Sequence, residues 1–198
     1  MDDTATTITE VAQVVLRERQ ARDRGWWTRM QDYFAPDSTV RLSWFDGSGT
    51  DFVEQSRAMA EHGTRSQHRT SPPLVEVVGD RAVAELPTAI EIRLVLDSVP
   101  LDLTSYARLI YRLEHRADRW IIVSLDAIYE RDTITPVHPG TAWTVDPEAL
   151  TGFRASYPLL AHVVGHLGYP VDHNLYGDDR PEPVATFYED LADWLRTG

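Results

Sequence analysis

Apolar residues near the N-terminus recur at helical spacing. Ile8, Val11, Ala12, Val15 and Leu16 mark one face of a helix. Thr7 and Glu10, three apart, read as its capping box, and Gly25 as its stop. A second short helix is predicted over 26–34, closed by Ala35-Pro36-Asp37. The period then changes. TVRLSWF at 39–45 alternates as a strand does, and Gly47-Ser48-Gly49 reads as a turn. A third helix is predicted over 51–62, with Asp51 and Glu54 as its box and Gly63 as its stop.

Strands follow. Residues 74–78 and 82–86 flank Gly79-Asp80, a two-residue hairpin turn. The second strand is expected to continue past Pro87, with a bulge or kink there, into TAIEIRLVL at 88–96. Further strands are predicted over 103–114 and 120–129, joined by a turn at Arg116 to Arg119. Residues 132–146 hold Pro136, Pro139 and Gly140 and read as a connector. Two helices, 147–167 and 183–195, close the chain. Helices first and then a meander of antiparallel strands argue for an α+β class.

Charge and composition narrow the partners. Asp plus Glu outnumber Lys plus Arg by 31 to 19, a formal charge of -12. That field repels phosphate backbones and anionic lipid surfaces, so neither nucleic acid nor membrane is expected as partner. The chain has no cysteine, which excludes disulfides, a thiolate nucleophile and Cys-based metal sites. The acidic, polar start is unlike a signal peptide, and no apolar run reaches membrane-spanning length, so a soluble cytoplasmic protein is expected. Six Trp and eight Tyr supply rings for a core, an interface or an apolar ligand pocket. No glycine-rich nucleotide motif occurs, and no cofactor is expected.

Three phrases, in their order and spacing, resemble the SnoaL-like group of the NTF2-like superfamily over roughly residues 8–132: ARDRGWWTRMQDYFAPDSTV, SQHRTSPPLVEVVGDRAVAE and DRWIIVSLDAIYERD. The resemblance implies an NTF2-like cone, with three N-terminal helices packed on a strongly curved antiparallel sheet around a deep pocket. Residues 1–132 would form that domain. Residues 133–198 would be a connector and a C-terminal helical extension packing on it. Scytalone dehydratase, ketosteroid isomerase, limonene epoxide hydrolase and polyketide cyclases share the fold, as do members that only bind, so fold alone does not settle function. The implied activity is cofactor-independent proton transfer of the dehydratase, isomerase or cyclase type. The implied substrate is a small apolar oxygenated molecule such as a polyketide, steroid or terpenoid, as in secondary metabolism. A non-catalytic binding or interaction module and an epoxide hydrolase are the alternatives. A homodimer or homotrimer through the sheet is implied as well.

By the same resemblance His68 is the general acid and base, and Asp23 its orienting partner. A carboxylate fixes the imidazole tautomer and raises its proton affinity, and the imidazole then moves a proton to or from substrate. The resemblance also expects two phenols to polarise the substrate carbonyl. Arg22 stands where the first belongs, and Trp44 near the second. RLSWF lacks the aspartate base that ketosteroid isomerisation needs. Trp44 and Trp26 are candidate pocket walls. Tyr106 and Arg108 lie two apart on one strand face and are candidate pocket groups. If they face outward, Ala107, Leu109 and Tyr111 fill the core instead; alternation leaves both faces open. Asp126 meeting Arg108 across the pocket would suit epoxide hydrolysis. His162 and His166 are four apart on a predicted helix, without the glutamate of H-E-x-x-H, and no metal is assigned to them.

Overall fold

The computed structural model describes residues 3–197. Helix α1 (Asp3–Arg24) begins ahead of the expected box, so Thr7 lies inside the helix rather than at its cap. It ends where Gly25 takes φ +70°, a left-handed stop that favours glycine. Its buried stripe starts apolar at Val11 and Val15 and turns charged at Glu18, Arg19 and Arg22. Short α2 (Trp27–Gln31) buries Met30.

Strand β1 (Phe34–Leu42) takes in the expected loop Ala35-Pro36-Asp37. Its ladder is broken there, and the register shifts between Phe34 and Thr39. It stops at Leu42, short of the expected end. Ser43 and Trp44 form a two-residue turn into β2 (Phe45–Ser48), with Leu42 opposite Phe45. Helix α3 (Gly49–Glu61) is capped by Ser48, not Asp51. The Ser48 hydroxyl accepts from the Asp51 N–H at 3.1 Å and donates to its carboxylate at 2.6 Å. A Cβ on Gly49 would meet Ser38 Oγ at 2.3 Å, so helix and β1 touch at a residue that must be glycine.

Strands β3 (Ser66–Thr70) and β4 (Leu74–Val78) share one edge of long β5 (Arg81–Leu96). β4 pairs with 81–85 and β3 with 88–92. Pro87 falls in the gap between them, where its missing N–H costs no cross-strand bond to β3 or β4. The β5 ladder with β6 (Val99–Arg116) runs through Pro87 without a register shift, so the expected bulge is absent. β6 in turn pairs with β7 (Arg119–Pro136), with shifts between Tyr106 and Ala107 and between Arg112 and Leu113. Such irregularities bend a sheet, and this one curves around the helices.

The sheet order is β2-β1-β7-β6-β5-β3. It is antiparallel except at β7, where β1 runs parallel over 122–126 and the two-residue β8 (Tyr176–Gly177) takes over the same edge at 128–129. β7 continues into the expected connector as far as Pro136. The helix expected over 147–167 divides into a 3-10 turn (Pro147–Leu150) and α4 (Pro158–His166), because Gly152 takes φ +89° and Pro158 starts a new helix. α5 (Pro181–Arg196) closes the chain.

The inner face of the sheet carries Leu101, Leu103, Ala107, Leu109, Tyr111 and Leu113 from β6 and packs on α1, α3 and α4. The outer face carries Ile110 and Ile128, and Phe187 and Leu191 of α5 cover them. Among the described residues no helix is long and apolar enough to cross a membrane.

Candidate active site

β3 holds Ser66 and His68 two apart, so both side chains face α1. The last turns of α1 present Arg19, Arg22 and Asp23 to them. The Asp23 carboxylate accepts twice from His68: from the backbone N–H at 2.8 Å and from Nδ1 at 2.6 Å. These two bonds fix the ring's orientation. They also set the tautomer, with the proton on Nδ1 and the lone pair on Nε2. The His68 side chain is 4% exposed and that of Asp23 18%.

Burial, outweighing the Asp23 hydrogen bond, lowers the His68 pKa to about 4, and the charges of Arg19 and Arg22 push the same way. The imidazole is therefore neutral at pH 7. The carboxylate orients the ring as expected, but it does not raise the ring's proton affinity above the ordinary value. For Asp23, burial works against the charged form, yet the hydrogen bonds from His68 and the positive charge of Arg19 prevail and hold its pKa below the usual value.

Nε2 faces a cavity between the inner sheet face and α4. Leu42, Ile90, Ile92 and Leu109 line it from the sheet, Leu160, Val164 and Leu167 from the α4 side, and Trp44, Tyr129 and Tyr169 add rings. Its polar wall is Arg19 and Arg22. Arg19 donates through Nε to Glu18 at 2.5 Å and forms a second, shorter bond to the same carboxylate through Nη2. Its Nη1 stands 3.4 Å from His68 Nε2. The Tyr111 hydroxyl donates to Glu18 at 3.1 Å, which completes a buried network behind the cavity. Arg22 donates from Nη1 to Ser66 Oγ at 2.6 Å, and its guanidinium lies 5.8 Å from the rings of Trp44 and Phe52. The Tyr129 hydroxyl accepts from the Ser43 N–H at 2.9 Å, and burial raises its pKa to about 12.

Three expected site residues meet here: His68, Asp23 and Trp44. The others do not. Tyr106 and Arg108 sit on the outer face of β6. The Arg131 guanidinium packs 4.1 Å from the Tyr106 ring, and Arg108 pairs with Glu85 and with Glu130, the latter at 2.7 Å. Asp126 is on the same outer side, 3.8 Å from Arg112. Arg108 and Asp126 form no network across the cavity, so the pairing expected for epoxide hydrolysis does not occur. Trp26 is 43% exposed, with Arg29 over its ring, and does not line the His68 cavity. His162 and His166 have no metal-ligating company: among the described residues no group of three His, Cys, Asp or Glu is placed to hold an ion.

Sequence reasoning missed Arg19 in the cavity wall and Glu18 behind it, and noted Arg22 only as standing where a phenol belongs. The signal was present, because the stripe opened by Val11 and Val15 continues at positions 18 and 22. Tyr129 was equally readable, two residues beyond Ala127 on the inner face of β7.

Comparison with known proteins gives the family and the fold. A protein from Emericella nidulans, described as uncharacterized protein AN9274, is 28% identical over 149 residues. The match takes in 71% of this chain and 63% of that one, so the chain spans less than two thirds of this relative. A putative scytalone dehydratase from Novosphingobium aromaticivorans superposes with a TM-score of 0.56 at 14% identity, covering 72% of this chain and 99% of that one. A type 2 hexachlorocyclohexane dehydrochlorinase superposes at 0.55 with 14% identity, covering 73% and 97%. Both likenesses are of fold. The SnoaL-like domain model matches residues 3–126, which hold α1 to α3, the Asp23 and His68 pair and most of the sheet. The chain belongs to the SnoaL-like domain family, with the NTF2-like fold.

Proposed function

We propose that the chain is a cofactor-independent enzyme that eliminates water from a small, largely apolar, oxygenated compound. The observation that carries the reading is the buried pair of His68 and Asp23, with Nε2 unprotonated and turned to an apolar cavity. A neutral imidazole is the form that takes a proton. Nε2 removes the C–H proton beside a substrate carbonyl. The electrons of that bond form the new double bond, and the bond to the β-hydroxyl breaks. The proton on Nε2 then goes to the departing oxygen, which leaves as water, and the imidazole is neutral again. Isomerisation and cyclisation use the same first transfer. The superposed dehydratase and dehydrochlorinase support a lyase reading by likeness of fold.

The test is proton exchange at the acidic carbon of β-hydroxy ketones in deuterated water, followed by NMR alongside dehydration. His68→Gln is expected to slow both by about 10²–10⁴-fold. Exchange that is equally fast in His68→Gln overturns the reading.

One observation favours a second reading, a binding module without chemistry. Arg19 Nη1 stands 3.4 Å from Nε2, so the lone pair that would act already faces a donor. A panel on which the wild type binds compounds but exchanges none of their protons would select it.

A further inference from the structure

Arg22 is a buried cation without a carboxylate of its own. It is 9% exposed, and among the described residues no Asp or Glu lies within ion-pair distance of it. Its one hydrogen-bond acceptor there is Ser66 Oγ, and its Nε has none. Arg19, one turn away, has Glu18 as its carboxylate partner. Asp23, the next residue, gives both carboxylate oxygens to His68. A guanidinium in such surroundings stays charged at neutral pH, although burial and the neighbouring Arg19 bring its pKa down to about 10. Leaving a buried cation unpaired is costly, and the cost is removed when an anion meets it.

A second orphan lies nearby. Ser56 is 3% exposed and its Oγ has no partner. Ser56 and Arg22 line one cavity, between the end of α1, α3 and β3, and that cavity shares Arg22, Met59, Thr64 and Ser66 with the His68 cavity. Arg22 therefore stands at the neck between a polar outer chamber and an apolar inner one. Along β3 its partner Ser66 is two residues from His68, about 7 Å away on the same face. That separation suits an oxygen on Arg22 and a carbon, two bonds from that oxygen, under Nε2.

We propose that Arg22, at the neck with Ser66 and Ser56, is a binding site for an anionic oxygen, and that the substrate is an apolar compound whose oxygen at this point carries or develops negative charge. The inference rests on the proton-transfer reading for its chemical consequence. When Nε2 takes the C–H proton, the electron pair moves through the carbon–carbon bond to the carbonyl oxygen, and Arg22 holds the resulting enolate. The substrate class is then an enolisable ketone or ester rather than a compound lacking oxygen at the acidic carbon's neighbour. The enolate also supplies the negative charge that a protonated His68 needs between two arginines.

The probe is para-nitrophenol, an apolar ring whose phenol and phenolate forms absorb at different wavelengths. Bound to the wild type it is expected to ionise at least one pH unit lower than free dye, a preference of about tenfold or more for the phenolate. Arg22→Met and Arg22→Gln are expected to lose that preference, and Arg22→Lys to keep part of it. His68→Gln is expected to retain it, since the imidazole is neutral. A wild type that does not bind the dye, or that binds the neutral phenol better, overturns the site whether or not any variant folds. So does an Arg22→Met protein that still prefers the phenolate. The two readings fail separately. Phenolate preference without proton exchange sinks the proposed reaction and leaves the site, whereas exchange without phenolate preference does the reverse.

Discussion

At the scale of residues, the site turns on two opposed effects at His68. The Asp23 hydrogen bond favours the imidazolium, and burial beside two arginines disfavours it more. The folded-state pKa, about 4, lies below the ordinary 6.5. A histidine depressed in this way contributes stability that is complete above 6.5 and is lost as pH falls towards the folded value. An NMR titration is expected to show His68 as the Nδ1–H tautomer down to about pH 4. Asp23→Asn removes what favours the cation, so the midpoint falls further and the ring loses its strongest acceptor. A midpoint near the ordinary value, indifferent to Asp23, would return His68 to the surface. His68 and Asp23 were legible in the sequence because phrases carried them, and Trp44 because it stands near a position where the family resemblance expects a phenol. Glu18 and Arg19 were not, and Arg22 was visible only as the residue standing where a phenol belongs, because a charge on a helix reads as solvated surface unless the helical stripe is followed through it. Tyr106, Arg108 and Asp126 failed for a simpler reason: period-two alternation finds two faces and does not say which one is inside.

Among the elements, the helices and the long strands were legible and their ends less so, whereas the short strands β2, β3 and β8 carried no alternation that marked them. The β5–β6 and β6–β7 hairpins turn at Asp97-Ser98 and Ala117-Asp118, four residues with φ from +48° to +64°. None is glycine, so the strands run further than their punctuation suggests. α4 shows a different kind of hidden signal. Its N-cap residue, Tyr157, makes no side-chain cap. The cap comes from β7 instead, where Asp132 accepts from the Leu160 N–H at 2.8 Å. No local pattern predicts a cap borrowed from a strand residue 28 positions earlier in the chain. Burial raises the Asp132 pKa to about 6, despite the hydrogen bonds from the α4 amides. A carboxyl raised in the folded state favours folding most below its unfolded value, 3.8, and that contribution is lost as pH rises through 6. Asp132→Asn keeps an acceptor for α4 and removes the charge. Thermal unfolding is expected to show the variant gaining on the wild type above pH 6, with a flatter pH profile between 4 and 6. A variant less stable at every pH would mean that the charge's attraction to the helix N-terminus outweighs its burial.

At the scale of the whole molecule, the sheet has an inner face committed to the cavity and an outer face that α5 occupies. Phe187 and Leu191 bury against Ile110 and Ile128, Arg81 donates to the Trp194 carbonyl at 2.7 Å, and the Tyr188 hydroxyl donates to Glu85 at 2.8 Å. Burying a large apolar side chain stabilises by about 1.5–3 kcal/mol, so α5 contributes a sizeable part of a margin that is typically about 5–15 kcal/mol. It also bears on association. A homodimer or homotrimer built on this part of the sheet would have to displace α5 or sit beside it. A chain ending at residue 180 exposes Ile110 and Ile128 together as an apolar patch, and such patches bind one another. We expect that shortened chain to unfold at lower temperature and to form larger species as its concentration rises in light-scattering chromatography, while the full chain does not change size through this face. The cavity lies on the other side of the sheet, so the His68 titration should survive the truncation. If the shortened chain keeps the full chain's oligomeric state and stability, α5 is an ornament on a face that needed no cover, and the association surface has to be sought on the sheet edges at β2 and β3.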